Sequence, residues 1–126
     1  EDIHIFTSIP LEELVYYYKN AELFLNASIF EGFGFTPFEA INFGLPSFLF
    51  KNSVVAEIIG EHPYVFADFN IRKWAGRIMQ EMENGYKNKI PSSLLAHLTW
   101  RRSAEQFLEI FNSMFFSREA QFATQK

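Results

Sequence analysis

Short apolar runs alternate with segments of helical periodicity along most of the chain. The apolar runs predict buried strands, because strands covered on both faces are apolar throughout. The four predicted strands are Ile3–Phe6, Leu23–Leu25, Ser47–Phe50 and Tyr64–Phe66. The helical segments between them are about Leu11–Lys19, Pro37–Phe43 and Val54–Ile59. This alternation predicts an α/β fold with a four-stranded, Rossmann-like parallel sheet and helices on both faces.

Two longer helices are predicted after the last strand. The first begins at Ile71, with Asn70 as its N-cap and Gly85 as the left-handed residue that follows it. Arg77 and Glu81 are predicted to form a weak i,i+4 pair on its solvent face. The second helix carries a long apolar stripe.

The remaining elements set the domain organisation. A short helix at Ser92–His97 connects the two longer helices, and Thr99 is the predicted cap of the second. A chain of 126 residues is enough for one domain with a core of its own. We therefore expect a single domain over residues 1–116, truncated at its N-terminal side, and a polar tail over residues 117–126.

Composition narrows the class of protein. Hydrophobic residues make up 48% and charged residues 21%, which is typical of a globular domain. The net charge of −4 argues against nucleic-acid binding, and the chain has no cysteine for a disulfide or a zinc–thiolate site. No apolar run reaches the roughly 18 residues of a membrane span. Phenylalanine is unusually frequent, at 16 residues, which indicates either core packing or an exposed apolar surface.

The segment Phe30–Ala40 is the best candidate for chemistry. It follows a predicted strand and opens a helix, and loops at that position line the ligand crevice of parallel sheets. Gly32 and Gly34 allow backbone amides to approach a ligand, and a helix that begins at Thr36 with Pro37 leaves free N–H groups for an anion.

Each of these residues also has an ordinary structural explanation. Thr36 and Glu39 have the spacing of a capping box. Gly32 and Gly34 could serve a tight turn, and Glu31 could be a solvated loop acid. The spacing alone therefore indicates a polar or anionic ligand near a helix N-terminus and nothing more specific.

The strings EGFGFTPFEA and INFGLP closely resemble the E-x7-E signature of retaining glycosyltransferase family 4, which has the GT-B fold. The resemblance extends over roughly residues 5 to 115 and implies the incomplete C-terminal domain of such an enzyme. The positions that match are Ser28, Glu31, Gly32, Phe33, Gly34, Glu39, Ala40, Gly44 and Pro46.

The resemblance implies a role for each site residue. Glu31 would be the catalytic residue, orienting the donor sugar and balancing oxocarbenium-like charge without acting as a nucleophile. Glu39 would accept hydrogen bonds from the ribose hydroxyls. Backbone amides would supply the other contacts: to the sugar from Gly32, Phe33 and Gly34, and to the diphosphate from Phe35 and Thr36. Phe38 and Phe43 are expected to be packing residues.

The resemblance also implies the reaction and its partners. A hexose would pass from a nucleoside-diphosphate sugar to a glycan or glycolipid acceptor, which an N-terminal domain before residue 1 would bind. The family's diphosphate-binding Arg and Lys would also precede residue 1, and Arg72, Lys73 and Arg77 are expected to be solvated charges that do not replace them. No cofactor or metal is expected, since no aspartate pair accompanies the loop and the histidines are scattered.

The frequency of such enzymes within the family points to a bacterial enzyme of lipopolysaccharide or capsule assembly, such as a mannosyltransferase. We expect it in the cytoplasm, with peripheral association at the inner face of the membrane. Two alternatives are a non-catalytic nucleotide-sugar-binding module and a glycan phosphorylase of the same fold. The first is disfavoured because both glutamates are present, and the second because no lysine has a context suited to pyridoxal phosphate.

Overall fold

The computed structural model describes the backbone of residues 3–123 and the side chains of residues 3–115. The chain divides into two compact units between Leu94 and Leu95. The elements in chain order are α1 (Leu11–Asn20), β1 (Phe24–Asn26), α2 (Phe35–Asn42), β2 (Ser47–Phe50), α3 (Val54–Ile59), β3 (Val65–Phe66), α4 (Ile71–Glu83), a 3-10 helix (Ser92–Leu95) and α5 (Trp100–Ala123).

The sheet of the first unit is parallel, with strand order β1-β2-β3. All four residues of the central strand β2 are buried, so both of its faces are covered, as its nearly continuous apolar sequence predicts. The α/β class with helices flanking a parallel sheet is confirmed. The predicted strand number is wrong, because the described residues form three strands.

The segment Ile3–Phe6 is the predicted strand that does not form. Its residues have no regular secondary structure, and Ile3, Ile5 and Phe6 are largely exposed. A strand is stable when a neighbouring strand satisfies its backbone groups. No described strand pairs with this segment, so its apolar sequence alone does not make it a strand.

Stacked aromatic rings hold α4 against the sheet. The indole of Trp74 lies 4.5 Å from the ring of Phe66 in a stacked arrangement and 5.8 Å from that of Phe50. Its Nε1–H donates to the carbonyl of Asp68 at 2.7 Å, which satisfies the one polar group of a buried side chain. Trp74 thus anchors this helix through a single large apolar side chain.

Glu81 of α4 is buried, which the sequence did not indicate. The residue is 2% exposed, and its carboxylate accepts hydrogen bonds from the Tyr64 hydroxyl at 3.0 Å and from Asn88. Arg77 forms a 2.9 Å ion pair with it. The prediction of a weak pair on the solvent face is therefore wrong, and Arg77 is not simply solvated, because the tertiary fold brings Tyr64 to this side of α4.

Several helix ends agree with the sequence. Asn70 accepts from the amide of Lys73 at 3.1 Å, Gly85 has a positive φ of 67°, and Thr99 accepts from the amide of Arg102 at 3.2 Å. In the second unit, α5 continues to Ala123, past the predicted start of the polar tail at Ser117. Residues 124–126 lie outside the described residues, and the domain boundary at 116 stays a prediction.

Candidate functional site

The glycine-rich loop joins the carboxyl end of β1 to the start of α2, as the sequence predicts. Gly34 occupies the N-cap position with φ 78° and ψ 57°, a left-handed conformation that favours glycine. The helix begins at Phe35, so Pro37 is its third residue and not its first. Gly34, which can adopt the left-handed conformation, ends the loop two residues earlier than a Thr36 cap would.

Glu31 lies in this loop beside the end of β1. One oxygen, Oε1, accepts a hydrogen bond of 2.7 Å from Nδ2 of Asn26, the last residue of the strand. The other, Oε2, is buried and has no partner among the described residues. A Cβ at Gly34 would approach Oε2 to 2.6 Å, so the glycine provides the space that this carboxylate occupies. Glu31 is therefore not a freely solvated loop acid.

Backbone amides at the start of α2 are the second component of the site. Within the described part of the chain, the amides of Gly32, Phe33, Gly34, Phe35 and Thr36 donate to no protein acceptor. Those of the first helical turn lie at the positive end of the helix dipole. Gly32 adds no obstruction, since even a Cβ built there would meet no atom within 4 Å. This is the arrangement that binds anionic oxygens at helix N-termini.

Glu39 of α2 accepts a hydrogen bond from a residue of a different helix, α1. The hydroxyl of Tyr18 in α1 donates to Oε2 of Glu39 at 3.1 Å and lies 3.5 Å from the carbonyl of Thr36. Burial, followed by the bond to Glu39, raises the pKa of Tyr18 to about 12, so the hydroxyl remains a donor at neutral pH. No side chain caps α2, and the capping-box explanation of Thr36 and Glu39 is therefore wrong.

Aromatic side chains surround the loop. The rings of Phe33 and Phe35 lie 5.0 Å apart, and that of Phe38 lies 6.3 Å from Phe33. Phe43 stacks on Tyr18 at 5.4 Å, in agreement with its expected packing role, and so helps to hold the Tyr18 ring. Phe30, the neighbour of Glu31 in the chain, is 92% exposed.

Other candidate features lie away from this loop. An open depression of about 480 Å³ is lined by residues between Lys51 and Ala67 and includes no residue of the loop or α2. Over the residues that the structure describes, no three His, Asp or Glu side chains are grouped to hold a metal ion. None of the described helices combines the length and apolar character that a membrane crossing requires.

Comparison with protein families decides the class of this chain. The family model of the group 1 glycosyl transferases matches residues 1–93, which is most of the chain. The chain belongs to the group 1 glycosyl transferases. No curated protein and no solved structure matches the chain. The family match includes both glutamates and the whole glycine loop.

Group 1 glycosyl transferase membership makes glycosyl transfer the activity to which this domain contributes. The sequence correctly predicted Glu31 at the carboxyl end of β1 and the amides at the start of α2. It missed Asn26 and Tyr18, the two residues that hold the glutamates. Asn26 could have been suspected, because a polar residue at the end of a predicted apolar strand needs a hydrogen-bond partner if it is buried. The ligand roles of all these residues remain predictions.

Proposed function

We propose that this domain binds the donor of a retaining glycosyltransferase of family 4, with GT-B architecture. The donor is a nucleoside-diphosphate hexose, and the acceptor is a glycan or glycolipid bound by a separate N-terminal domain. The single observation that carries this proposal is the loop from Glu31 to Thr36. Among the residues that the structure describes, one oxygen of the Glu31 carboxylate has no partner, and the neighbouring amides have no protein acceptor.

The chemistry of the donor matches these two components. Departure of a nucleoside diphosphate builds negative charge on phosphate oxygens, which the amides of Phe35 and Thr36 and the helix dipole stabilise. The amides of Gly32, Phe33 and Gly34 bind the sugar. The free Oε2 of Glu31 accepts a sugar hydroxyl and balances the positive charge that develops at the anomeric carbon.

Glu39 binds the ribose of the donor in this proposal. Tyr18 occupies Oε2 of Glu39, so the carboxylate retains Oε1 for a ribose hydroxyl. Glu39 is the fifth residue of α2, and this position separates it from the reacting sugar at the loop. We infer that Glu39 acts on donor binding and Glu31 on the chemical step.

Retention follows from the placement of the departing diphosphate. One of its oxygens accepts the proton of the acceptor hydroxyl while the acceptor oxygen bonds to the anomeric carbon on the same face. Glu31 then has no covalent role, and no metal or cofactor is required. The surrounding process is cell-surface polysaccharide or lipopolysaccharide synthesis, with mannose as the candidate hexose, in the bacterial cytoplasm at the inner face of the membrane.

The test compares two amide substitutions in the full-length enzyme. Glu31→Gln removes the charge nearest the reacting sugar, and we expect kcat to fall about 10²-fold or more. Glu39→Gln keeps an acceptor oxygen, so we expect donor KM to rise at most roughly tenfold with kcat little changed. Nucleoside diphosphate release from a panel of UDP- and GDP-hexoses gives both constants.

Circular dichroism of each variant serves as the folding control. If Glu39→Gln were the less active enzyme, or if both variants matched the wild type, the assigned roles would be wrong. A wild-type enzyme that binds these donors without turning any of them over would instead support a non-catalytic module.

A further inference from the structure

Asn26 is a buried amide at the end of β1 that the proposed reaction does not use directly. Its side chain is 6% exposed and has two partners, both in the glycine loop. The oxygen Oδ1 accepts from the backbone amide of Ser28 at 2.9 Å. The nitrogen Nδ2 donates to Oε1 of Glu31 at 2.7 Å.

The two partners fix the direction of the Asn26 amide. The N–H of Ser28 can only donate, so the oxygen end of the amide must face it. The nitrogen end must then face Glu31, whose ionised carboxylate can only accept. Asparagine is suited to this place because one side chain supplies an acceptor to the loop backbone and a donor to the carboxylate. Aspartate would supply only the first.

The environment of Oε2 of Glu31 shows the effect of the hydrogen bond between Asn26 and Oε1. Oε2 is buried without a partner among the described residues, and it occupies the space beside Gly34. A buried carboxylate oxygen without a hydrogen bond is costly, and a ligand hydroxyl can remove that cost. With Oε1 held by Asn26, the carboxylate cannot rotate to satisfy Oε2 elsewhere without breaking a charge-assisted bond.

We propose that Asn26 is the positioning residue of Glu31, which it holds with Oε2 directed at a hydroxyl of the donor sugar. This inference rests on the proposed function, since it assigns Glu31 to the donor sugar. Asn26 itself does not touch the substrate. Its contribution is to orient the carboxylate before the donor binds, which is the condition under which a fixed charge accelerates a reaction.

The test is Asn26→Asp in the full-length enzyme, assayed with UDP- and GDP-hexoses by nucleoside diphosphate release. Aspartate keeps the acceptor for Ser28 and the size of the side chain, but it places a carboxylate against Glu31. We expect kcat to fall roughly tenfold or more with donor KM little changed. The melting temperature should fall as well, because two carboxylates in close contact at a buried position repel each other. The loss in kcat should shrink at lower pH, because one proton shared by the two carboxyl groups restores a donor.

Two further variants make the comparison specific. Asn20→Asp introduces the same charge at an exposed amide of α1 that donates to the carbonyl of Tyr16 at 2.8 Å, and it should leave kcat within about twofold of wild type. Asn26→Ser keeps a hydroxyl for the Ser28 turn without reaching Glu31, so it should lower kcat without the pH effect. It tests the inference even if the aspartate variant does not fold.

A Glu31→Gln background separates this inference from the proposed function. If Asn26 acts through Glu31, adding Asn26→Asp to Glu31→Gln should change kcat by less than about twofold. Full activity of Glu31→Gln would contradict the proposed function itself. Two results would overturn only the positioning role. In the first, Glu31→Gln loses most of its activity while both Asn26 variants keep the wild-type kcat. In the second, Asn26→Asp lowers kcat by the same factor in the wild-type enzyme and in Glu31→Gln.

Discussion

Tyr18 is the residue that links α1 to the proposed ribose site. Its hydroxyl donates to Glu39, and its ring stacks on Phe43, so the side chain is held at both its polar and its apolar part. The raised pKa of Tyr18, about 12, keeps its hydroxyl protonated at any pH at which the enzyme is assayed. Glu39 is thereby fixed by a residue that lies 21 positions before it.

Removal of the Tyr18 hydroxyl should weaken donor binding without changing the chemical step. Tyr18→Phe keeps the ring stacked on Phe43 and frees Glu39, so we expect donor KM to rise by about two- to tenfold with kcat unchanged. The control is Tyr17→Phe, which removes an exposed hydroxyl bonded to Glu13 on the same helix and should leave both constants unchanged. Steady-state kinetics would contradict this role if kcat fell instead of KM rising.

The residues of the site differ in how far the sequence could predict them. Glu31 and Gly34 are three positions apart, so local spacing was enough to place the carboxylate in the loop before α2. The partner of Glu39 could not be read from spacing, because Tyr18 reaches it from another helix. The local spacing of Thr36 and Glu39 suggested a capping box. In the structure, Glu39 instead accepts a hydrogen bond from Tyr18 of α1.

At the scale of elements, α4 is fixed to β3 by a polar network as well as by Trp74. Burial raises the pKa of Tyr64 and keeps its hydroxyl a donor to Glu81. Burial lowers the pKa of His62, with Glu81 opposing the shift, so its neutral Nδ1 can accept the amide of Tyr64 at 3.2 Å. Arg77 supplies the positive charge that a buried Glu81 carboxylate requires.

Loss of the Arg77 charge should destabilise the fold. Arg77→Met leaves Glu81 buried without its cation, and we expect a cost of about 2–3 kcal/mol in the free energy of unfolding. Removing one partner of a fully buried pair costs about 3–5 kcal/mol. The cost here is lower because the Arg77 side chain is 33% exposed and Glu81 keeps two other donors.

The matched control is Arg72→Met in the same helix. Arg72 is exposed, so its removal should change the free energy of unfolding by no more than about 0.5 kcal/mol. Urea denaturation of the two variants and the wild type gives the comparison. Equal stabilities of Arg77→Met and Arg72→Met would mean that the Glu81 ion pair contributes nothing to stability.

The elements themselves were largely predictable, for a physical reason. The helices over Leu11–Asn20, Val54–Ile59 and Ile71–Glu83 satisfy their backbone within the segment, so a local apolar period is enough to locate them. A strand depends on a neighbour that the local pattern does not contain. That is why Ser47–Phe50 forms between two partners and the equally apolar Ile3–Phe6 does not form a strand.

At the scale of the whole molecule, the phenylalanines are mostly not core residues. Among the side chains that the structure describes, Phe48, Phe50 and Phe66 are buried. Many others are exposed in both units, including Phe30 at 92% and Phe107 at 67%. Of the two explanations that the composition allowed, exposed apolar surface therefore accounts for more phenylalanines than core packing does.

The segment that contains the site has a net negative charge. Residues 26–43, which contain the loop and α2, carry two glutamates and no lysine or arginine. Neutral amides are the donors that this segment offers to a diphosphate, whereas tight diphosphate binding ordinarily also uses cationic side chains. Lys73 does not supply one, since it pairs with Asp68 at 3.1 Å.

We therefore expect the purified 126-residue chain not to transfer sugar. Catalysis by positioning requires donor and acceptor held together in one geometry, and the proposal assigns acceptor binding to a separate N-terminal domain. The measurement is nucleoside diphosphate release from UDP- and GDP-hexoses, with the full-length enzyme as the positive control and circular dichroism to establish that the chain is folded. Release above the no-enzyme background would show that the loop and its amides are sufficient for turnover without added cations.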